Sequence, residues 1–318
     1  MLVSIGDQVK PGLYRLHSRF HRAVNFERAG RLVSVVDETI GPGPLNIVLG
    51  PIGALPIHVA ADVSRRTLIA AEIAPTDVGG YTRLMNHAPP EISGHTEQLT
   101  LRITACTVMF GGLRYRFTAR HRYNSTLELI AVDPNRFRRN LSALSDALIE
   151  GAPPKSLAFL LDSTRRKNFR RGFERAFAEQ IGCAVNQVFN GKLLAGIRQL
   201  RGCGFGLTPA GDDFIAGVLL GLHLLQRLRG QHLQPTMDAI FRAARGDNIF
   251  SNTFLDLARR GLLFGRMKDL LVALTSGSQS SVRRSAEALF AVGETSGADL
   301  ATGLFMTLRG NIANGAQK

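Results

Sequence analysis

The sequence predicts an α+β protein, with a β-rich N-terminal part (an antiparallel sheet or small barrel) over residues 1–132 and a mostly α-helical part over 133–318. Three observations carry this reading. Apolar and polar residues alternate with period two in the first part, as half-buried strands require. From Asp133 onward the apolar spacing becomes three and four residues, the period of an amphipathic helix. No helical pattern separates the early strands, which argues against a doubly wound parallel sheet.

The first strand is read from Tyr14, Leu16, Ser18 and Phe20, which alternate with Arg15, His17, Arg19 and His21. Short apolar runs follow at Arg31–Val36 and Leu45–Leu49, separated by the turn-forming Gly41-Pro42-Gly43-Pro44. Leu99, Leu101, Ile103 and Ala105 alternate again, and the pattern resumes after Gly111-Gly112 with Leu113, Tyr115 and Phe117, a hairpin signal. The first helix is set by Phe137, Leu141, Leu144 and Leu148. Further helices are expected at about 168–181, 192–200, 214–228, 238–244, 253–260, 267–274, 281–292 and 300–308, with Gly261 and Gly293 as stop signals.

Composition narrows the class. A chain of 318 residues, 45% hydrophobic and 20% charged, is that of an ordinary globular protein with a sizeable core. Met1–Gly12 lacks the basic start and apolar run of a secretory signal. The longest strongly apolar stretch, Phe214–Leu225, is too short for a bilayer and carries His223. Cys106, Cys183 and Cys203 form no paired motif and fit a reducing compartment, so a cytoplasmic protein is expected. The net charge of +14 comes from clusters at Arg114–Arg122, Arg136–Arg139 and Arg165–Arg171. No zinc-finger spacing, basic zipper or RNA-stacking motif accompanies them, and there is no Trp. A solvated basic surface, a small anionic substrate or an acidic partner subunit therefore accounts for the charge better than nucleic acid does.

The chemistry is expected at Gly202–Asp213, where four glycines lead through Thr208-Pro209 into Asp212-Asp213 and a long apolar helix. Glycine allows positive φ and close ligand approach, and a helix N-terminus favours anions. The segment lacks the Lys-Ser/Thr that closes a Walker loop, and a helix precedes it where a dinucleotide fingerprint needs a strand. One Asp there is explained by capping; two adjacent ones suit acid–base work or an Mg²⁺ ion held partly through water. Phe214–Leu225 is apolar on nearly every side, so this helix should cross the core, and Gly217 and Gly221 should let another helix approach.

A shorter echo, Thr295-Ser296-Gly297-Ala298-Asp299, precedes a second helix carrying Gly303. Thr208 to Asp212 and Thr295 to Asp299 share one spacing, while Asp213 to Gly217 and Asp299 to Gly303 share another, so two registers compete. If both helix mouths meet, Asp212, Asp213 and Asp299 are the catalytic candidates, with Asp213 and Asp299 also candidate metal ligands. Gly204, Gly206, Thr208, Gly211, Thr295, Ser296 and Gly297 become the candidate substrate-binding residues. Asn252 and Thr253, from a third Ser251-Asn252-Thr253 start, are secondary contributors, although capping alone would explain them. The histidines form no metal motif: His17 and His21 would sit about 13 Å apart along a strand. His58, His87 and His95 lie in turn-rich sequence that nothing directs to a site.

The segment Gly204–Gly217, G-F-G-L-T-P-A-G-D-D-F-I-A-G, resembles the signature of the AllH-like family, named for a subunit of oxamate carbamoyltransferase. Thr295–Asp299, Ser251–Leu255 and the G-P-L-N-I-V of Gly43–Val48 resemble it too, more loosely in the β-rich part. The resemblance implies a reaction of purine-ureide (allantoin) catabolism, oxalurate and phosphate giving oxamate and carbamoyl phosphate, within a multi-subunit assembly. Three readings stay open: a carbamoyltransferase chain or subunit, an Mg²⁺-dependent hydrolase or phosphotransferase, and a non-catalytic ligand-binding or regulatory subunit.

Overall fold

A computed structural model describes residues 1–50, 99–128 and 132–310; His58, His87 and His95 lie outside them. The described strands are β1 (Leu2–Gly6), β2 (Gly12–Phe20), β3 (Ala23–Arg28), β4 (Arg31–Asp37), β5 (Asn46–Leu49), β6 (Thr100–Ile103), β7 (Thr107–Phe110), β8 (Leu113–Arg116) and β9 (Arg122–Tyr123). They form one sheet in the order β8-β7-β6-β2-β3-β4-β5-β1-β9. Six of its eight pairings are antiparallel, and β4–β5 and β1–β9 are parallel. The Gly41–Pro44 run thus serves a return loop, which carries the chain back to lay Asn46 beside Ser34. Gly111 and Gly112 both take positive φ, 55° and 75°, and join β7 to β8 as a two-residue hairpin. In β2 the expected alternation fails: Tyr14 is buried, but Leu16 and Phe20 are exposed. The register shifts between Leu16 and Ser18, and a bulge breaks the period of two.

Nine α-helices follow among the described residues: α1 (Pro134–Gly151), α2 (Gly172–Phe189), α3 (Leu193–Leu200), α4 (Ala210–Arg229), α5 (Gln234–Ala244), α6 (Ile249–Arg259), α7 (Gly265–Ser276), α8 (Gln279–Phe290) and α9 (Ser296–Arg309). Asp133 caps α1 by accepting the Asn135 amide, and Pro134 takes the first-turn position where its missing N–H costs nothing. Most helices begin up to a turn before their apolar periodicity does, because a first turn is built from small and polar residues. The exceptions are α3, which starts at Leu193, one residue later than expected, and α2. The chain forms a short 3-10 helix at Ser163–Asn168, and α2 starts at Gly172. Gly261 (φ 67°) and Gly293 (φ 64°) stand in the left-handed region just past α6 and α8, as stop signals do.

Two cores result, one on the sheet around Phe26, Ile47 and Leu101, and a larger one among the helices. At the centre of the larger core lies α4, buried at every residue from Ala210 to Leu222. Its main partner is α9, and the contact is made by backbone. A Cβ on Gly217 would overlap the carbonyl oxygen of Leu300, and one on Gly303 would overlap that of Phe214. Gly221 lies against Thr307 in the same seam. No helix among the described residues is long and apolar enough to cross a membrane.

Gly303→Ala should therefore lower stability by about 1–3 kcal/mol or more, since neither carbonyl can retreat from a packed core. Gly151→Ala, where a methyl meets nothing within 4 Å, should leave stability unchanged. Urea denaturation of both variants checks this, and equal midpoints would refute the backbone-contact reading.

Candidate functional site

The chain from α3 into α4 turns on Gly202, Gly204 and Gly206, which have φ of 69°, 118° and 102°. Gly204 passes so close to the start of α4 that a Cβ would stand 2.6 Å from the Ala210 nitrogen. Pro209 is the N-cap, so Gly211, Asp212 and Asp213 lie inside the first helical turn and neither carboxylate is the cap. This revises the picture of an open helix end. Gly211 N donates to Cys203 O at 2.8 Å, and the amides of Asp212 and Asp213 donate to Pro209 O at 2.9 and 3.1 Å. In the turn itself, the N–H groups of Gly204–Thr208 have no acceptor among the described residues.

The two helix mouths do meet. Thr208 Oγ1 lies 3.1 Å from Asp213 Oδ2, to which it donates, and 3.4 Å from Ser296 Oγ at the start of α9. Asp213 and Asp299 occupy the same step of their helices, four residues after the caps Pro209 and Thr295. Gly211 and Gly297 both press on the last turn of the preceding helix, against the carbonyls of Leu200 and Leu289. Gly217 and Gly303 each contact the other helix at the residue that follows its aspartate, Leu300 and Phe214. The structure thus selects the Asp213–Asp299 register. Asp212 has no carboxylate counterpart; Ala298 stands in its place.

The three carboxylates divide their roles. Asp212, buried, accepts the Gly202 amide at 2.8 Å and so clamps the beginning of the glycine turn. Burial raises its pKa, opposed by the Gly202 amide, Ser251 and Arg201. Ser251 Oγ lies near enough to favour the carboxylate, although it is outside hydrogen-bond geometry and has no partner of its own. Asp299 is wholly buried. Its Oδ1 accepts the Leu157 amide at 2.6 Å, and Oδ2 has no partner. Burial lifts its pKa to about 7 against the pull of Leu157 and Thr295. Asp213 is raised well above the usual carboxylate range, first by burial and then by the charge of Asp299, with Ser296 and Thr208 opposing. Enclosure raises both acids, and the charge of Asp299 raises Asp213 further, so both are shifted toward the protonated form.

Asn252 and Thr253 are not drawn into this pair. Asn252 binds both the N–H and the carbonyl of Gly246, and Thr253 Oγ1 donates to Ile249 O. The residue at the start of α6 that reaches the site is Asn248. It caps α6 through the amides of Phe250 and Ser251 and donates to Leu207 O at 2.8 Å, tethering the glycine turn. An Asn just before Ile249-Phe250 is a cap signal legible in sequence. The Leu157 amide, a backbone group far along the chain, has no such signal. Cys203 is held by Gln199 O and Gln180, and burial followed by Asp212 raises its thiol, which disfavours the reactive thiolate. Among the described residues no three His, Cys, Asp or Glu side chains gather to hold a metal.

Two helix mouths that meet under a glycine turn, each with a buried aspartate in its first turn, make up the candidate site. Residues 200–308, from the last residue of α3 almost to the end of α9, match the family model described as oxamate carbamoyltransferase subunit AllH. That stretch is about a third of the chain and contains the turn, both aspartates and all of α4 to α8. It is the same family that the Gly204–Gly217 motif resembles. No curated protein and no solved structure matches the chain.

The Asp299 environment makes a signed prediction. Its folded pKa, about 7, lies above the unfolded value near 4. Stability contributed by the protonated carboxyl is full below pH 4 and is lost as pH rises toward 7, on the order of a few kcal/mol. Asp299→Asn keeps an acceptor for Leu157 and removes the titration. Its melting temperature should gain on wild type between pH 5 and pH 8; parallel pH profiles would refute the assignment.

Proposed function

We propose that this chain is a carbamoyltransferase chain or subunit of the oxamate carbamoyltransferase type, acting on oxalurate and phosphate to give oxamate and carbamoyl phosphate. The observation that carries the reading is the Asp213–Asp299 pair, poised for proton transfer near neutral pH within the stretch that matches the family. The overall exchange transfers one proton. A phosphate oxygen attacks the ureido carbon of oxalurate, the bond to the oxalyl-bearing nitrogen breaks, and the hydrogen of hydrogen phosphate ends on that nitrogen. Asp213, at 9% exposure the more accessible of the pair, gives its proton to the departing amide nitrogen and takes the proton of hydrogen phosphate in its place. Asp299 sets the affinity of Asp213 for the proton, and Thr208 and Ser296 orient it. The amides of Gly204–Thr208 supply donors for the oxyanion that develops on the carbonyl.

Magnesium between Asp213 and Asp299 would need both carboxylates ionised and several waters retained around the ion. Their enclosure raises both acids instead, which opposes an ion between them. The family description as a subunit implies protein partners, and the assay belongs with those partners present.

With partners added, Asp213→Asn should cut kcat by about 10²–10⁴-fold while the melting curve stays cooperative. Wild-type turnover in that variant would sink the catalytic reading and leave the docking-subunit one. Dialysis of the same assembly against a chelator should leave the rate unchanged; a loss restored by Mg²⁺ would favour the metal-dependent alternative.

A further inference from the structure

The chain folds an open bowl of about 330 Å³, lined by Pro154, Lys155, Asn168, Arg170, Arg171 and Glu174. The chain on either side of it is tied by side-chain hydrogen bonds. Arg165 donates to the carbonyls of Ile149, Ala152 and Pro153, and Asn168 Nδ2 donates to Pro154 O at 3.0 Å. Glu174 is saturated: Oε1 accepts Lys155 Nζ at 2.7 Å, and Oε2 accepts the amides of Arg170 and Arg171 at 2.8 and 3.1 Å. These bonds, led by Lys155, hold its pKa down at about 2, so it stays charged and keeps Lys155 at the rim.

The guanidinium groups of Arg170 and Arg171 are exposed, and among the described residues no carboxylate pairs with either. Three cations against one neutralised carboxylate leave the bowl a local charge of about +2, and the positive end of the 18-residue α2 points the same way. Like charges held this close repel one another, and a compact dianion relieves the repulsion while offering Arg its forked partner. The bowl also abuts the paired helix mouths at two points. Leu157, two residues after Lys155, donates to Asp299, and Phe173, two residues after Arg171, packs edge-on against Phe205 of the glycine turn with centroids 6.0 Å apart.

We propose that the Lys155–Arg170–Arg171 bowl is a binding site for a compact dianion of the phosphate class. It goes beyond the carbamoyl-transfer reading, because it concerns binding by this chain alone and places the anion on side chains outside the stretch that matches the family. It also differs from the sequence expectation of an anion at Gly202–Asp213, where the amides of Gly211, Asp212 and Asp213 already have acceptors.

The test is calorimetric titration of the full chain with inorganic phosphate at low ionic strength. It would be run on wild type, on the double variant Arg170→Gln/Arg171→Gln, on Arg114→Gln as a net-charge control, and on Thr208→Val in the glycine turn. Saturable binding is expected in wild type, the Arg114 control and the Thr208 variant, with at least a tenfold loss in the double variant. Loss of one charged hydrogen-bond partner alone is worth about that factor. Sulfate should compete and oxamate should not. Absent binding in wild type, full affinity in the double variant, or a loss confined to Thr208→Val would each overturn the site; preferential competition by oxamate would overturn the phosphate class. None of these outcomes depends on turnover, so the assignment of the bowl and the Asp213 chemistry can fail separately.

Discussion

At the crossing of α4 and α9 two helix backbones touch with no side chain between them, and the site depends on that contact. Gly217 and Gly303 remove the Cβ atoms that would hold the helices apart, each against a carbonyl of the other. The crossing sets the distance between the two N-terminal ends, and so brings the carboxyl of Asp213 under the electrostatic influence of Asp299. Four residues separate each aspartate from its crossing glycine, close to one helical turn, so the acids stand almost directly above the contact on the facing side. Closeness and enclosure come from one geometric device.

The same geometry accounts for the protonation of the pair. An acid at the open end of an isolated helix would be stabilised as a carboxylate by the helix dipole. Here the mouths close on each other, the amides of Gly211–Asp213 and Gly297–Asp299 are taken by Cys203, Pro209, Val292 and Thr295, and water is excluded from Asp299. Burial outweighs the dipole and shifts both acids toward the protonated form. The cationic groups lie a short step away in the bowl, which keeps anion attraction and proton storage on separate side chains. Had an arginine stood between the aspartates, it would have pulled both toward the ionised form and removed the proton carrier.

Much of this was legible in the sequence. Period-two and helical periodicity located most of the elements, the double glycine located the hairpin, and Gly202–Asp213 with Thr295–Asp299 pointed to the two segments that the fold brings together. Composition also made α4 central, since a helix apolar on every side has nowhere else to go. Three things could not be read. The bulge in β2 depends on its pairing with β3, and the parallel return of β5 depends on which edge of β4 is free. The third is the choice of register in the echo, for which two spacings were equally good until the backbone contact between α4 and α9 selected Asp213 with Asp299.

What the sequence alone determined, then, is the α+β division, the buried central helix and the acidic, glycine-rich character of its mouth, because these follow from local periodicity and from the steric freedom of glycine. Tertiary structure alone decided that Asp213 and Asp299 act as a pair, that Asp212 clamps a turn, that Asn248 rather than Asn252 reaches the site, and that Lys155, Arg170 and Arg171 line one bowl. Each of these is a proximity between residues distant in the chain, or a burial produced by elements that close over a group. Charge, proton affinity and hydrogen-bond supply depend on such proximities, whereas periodicity reports only which face of an element is covered.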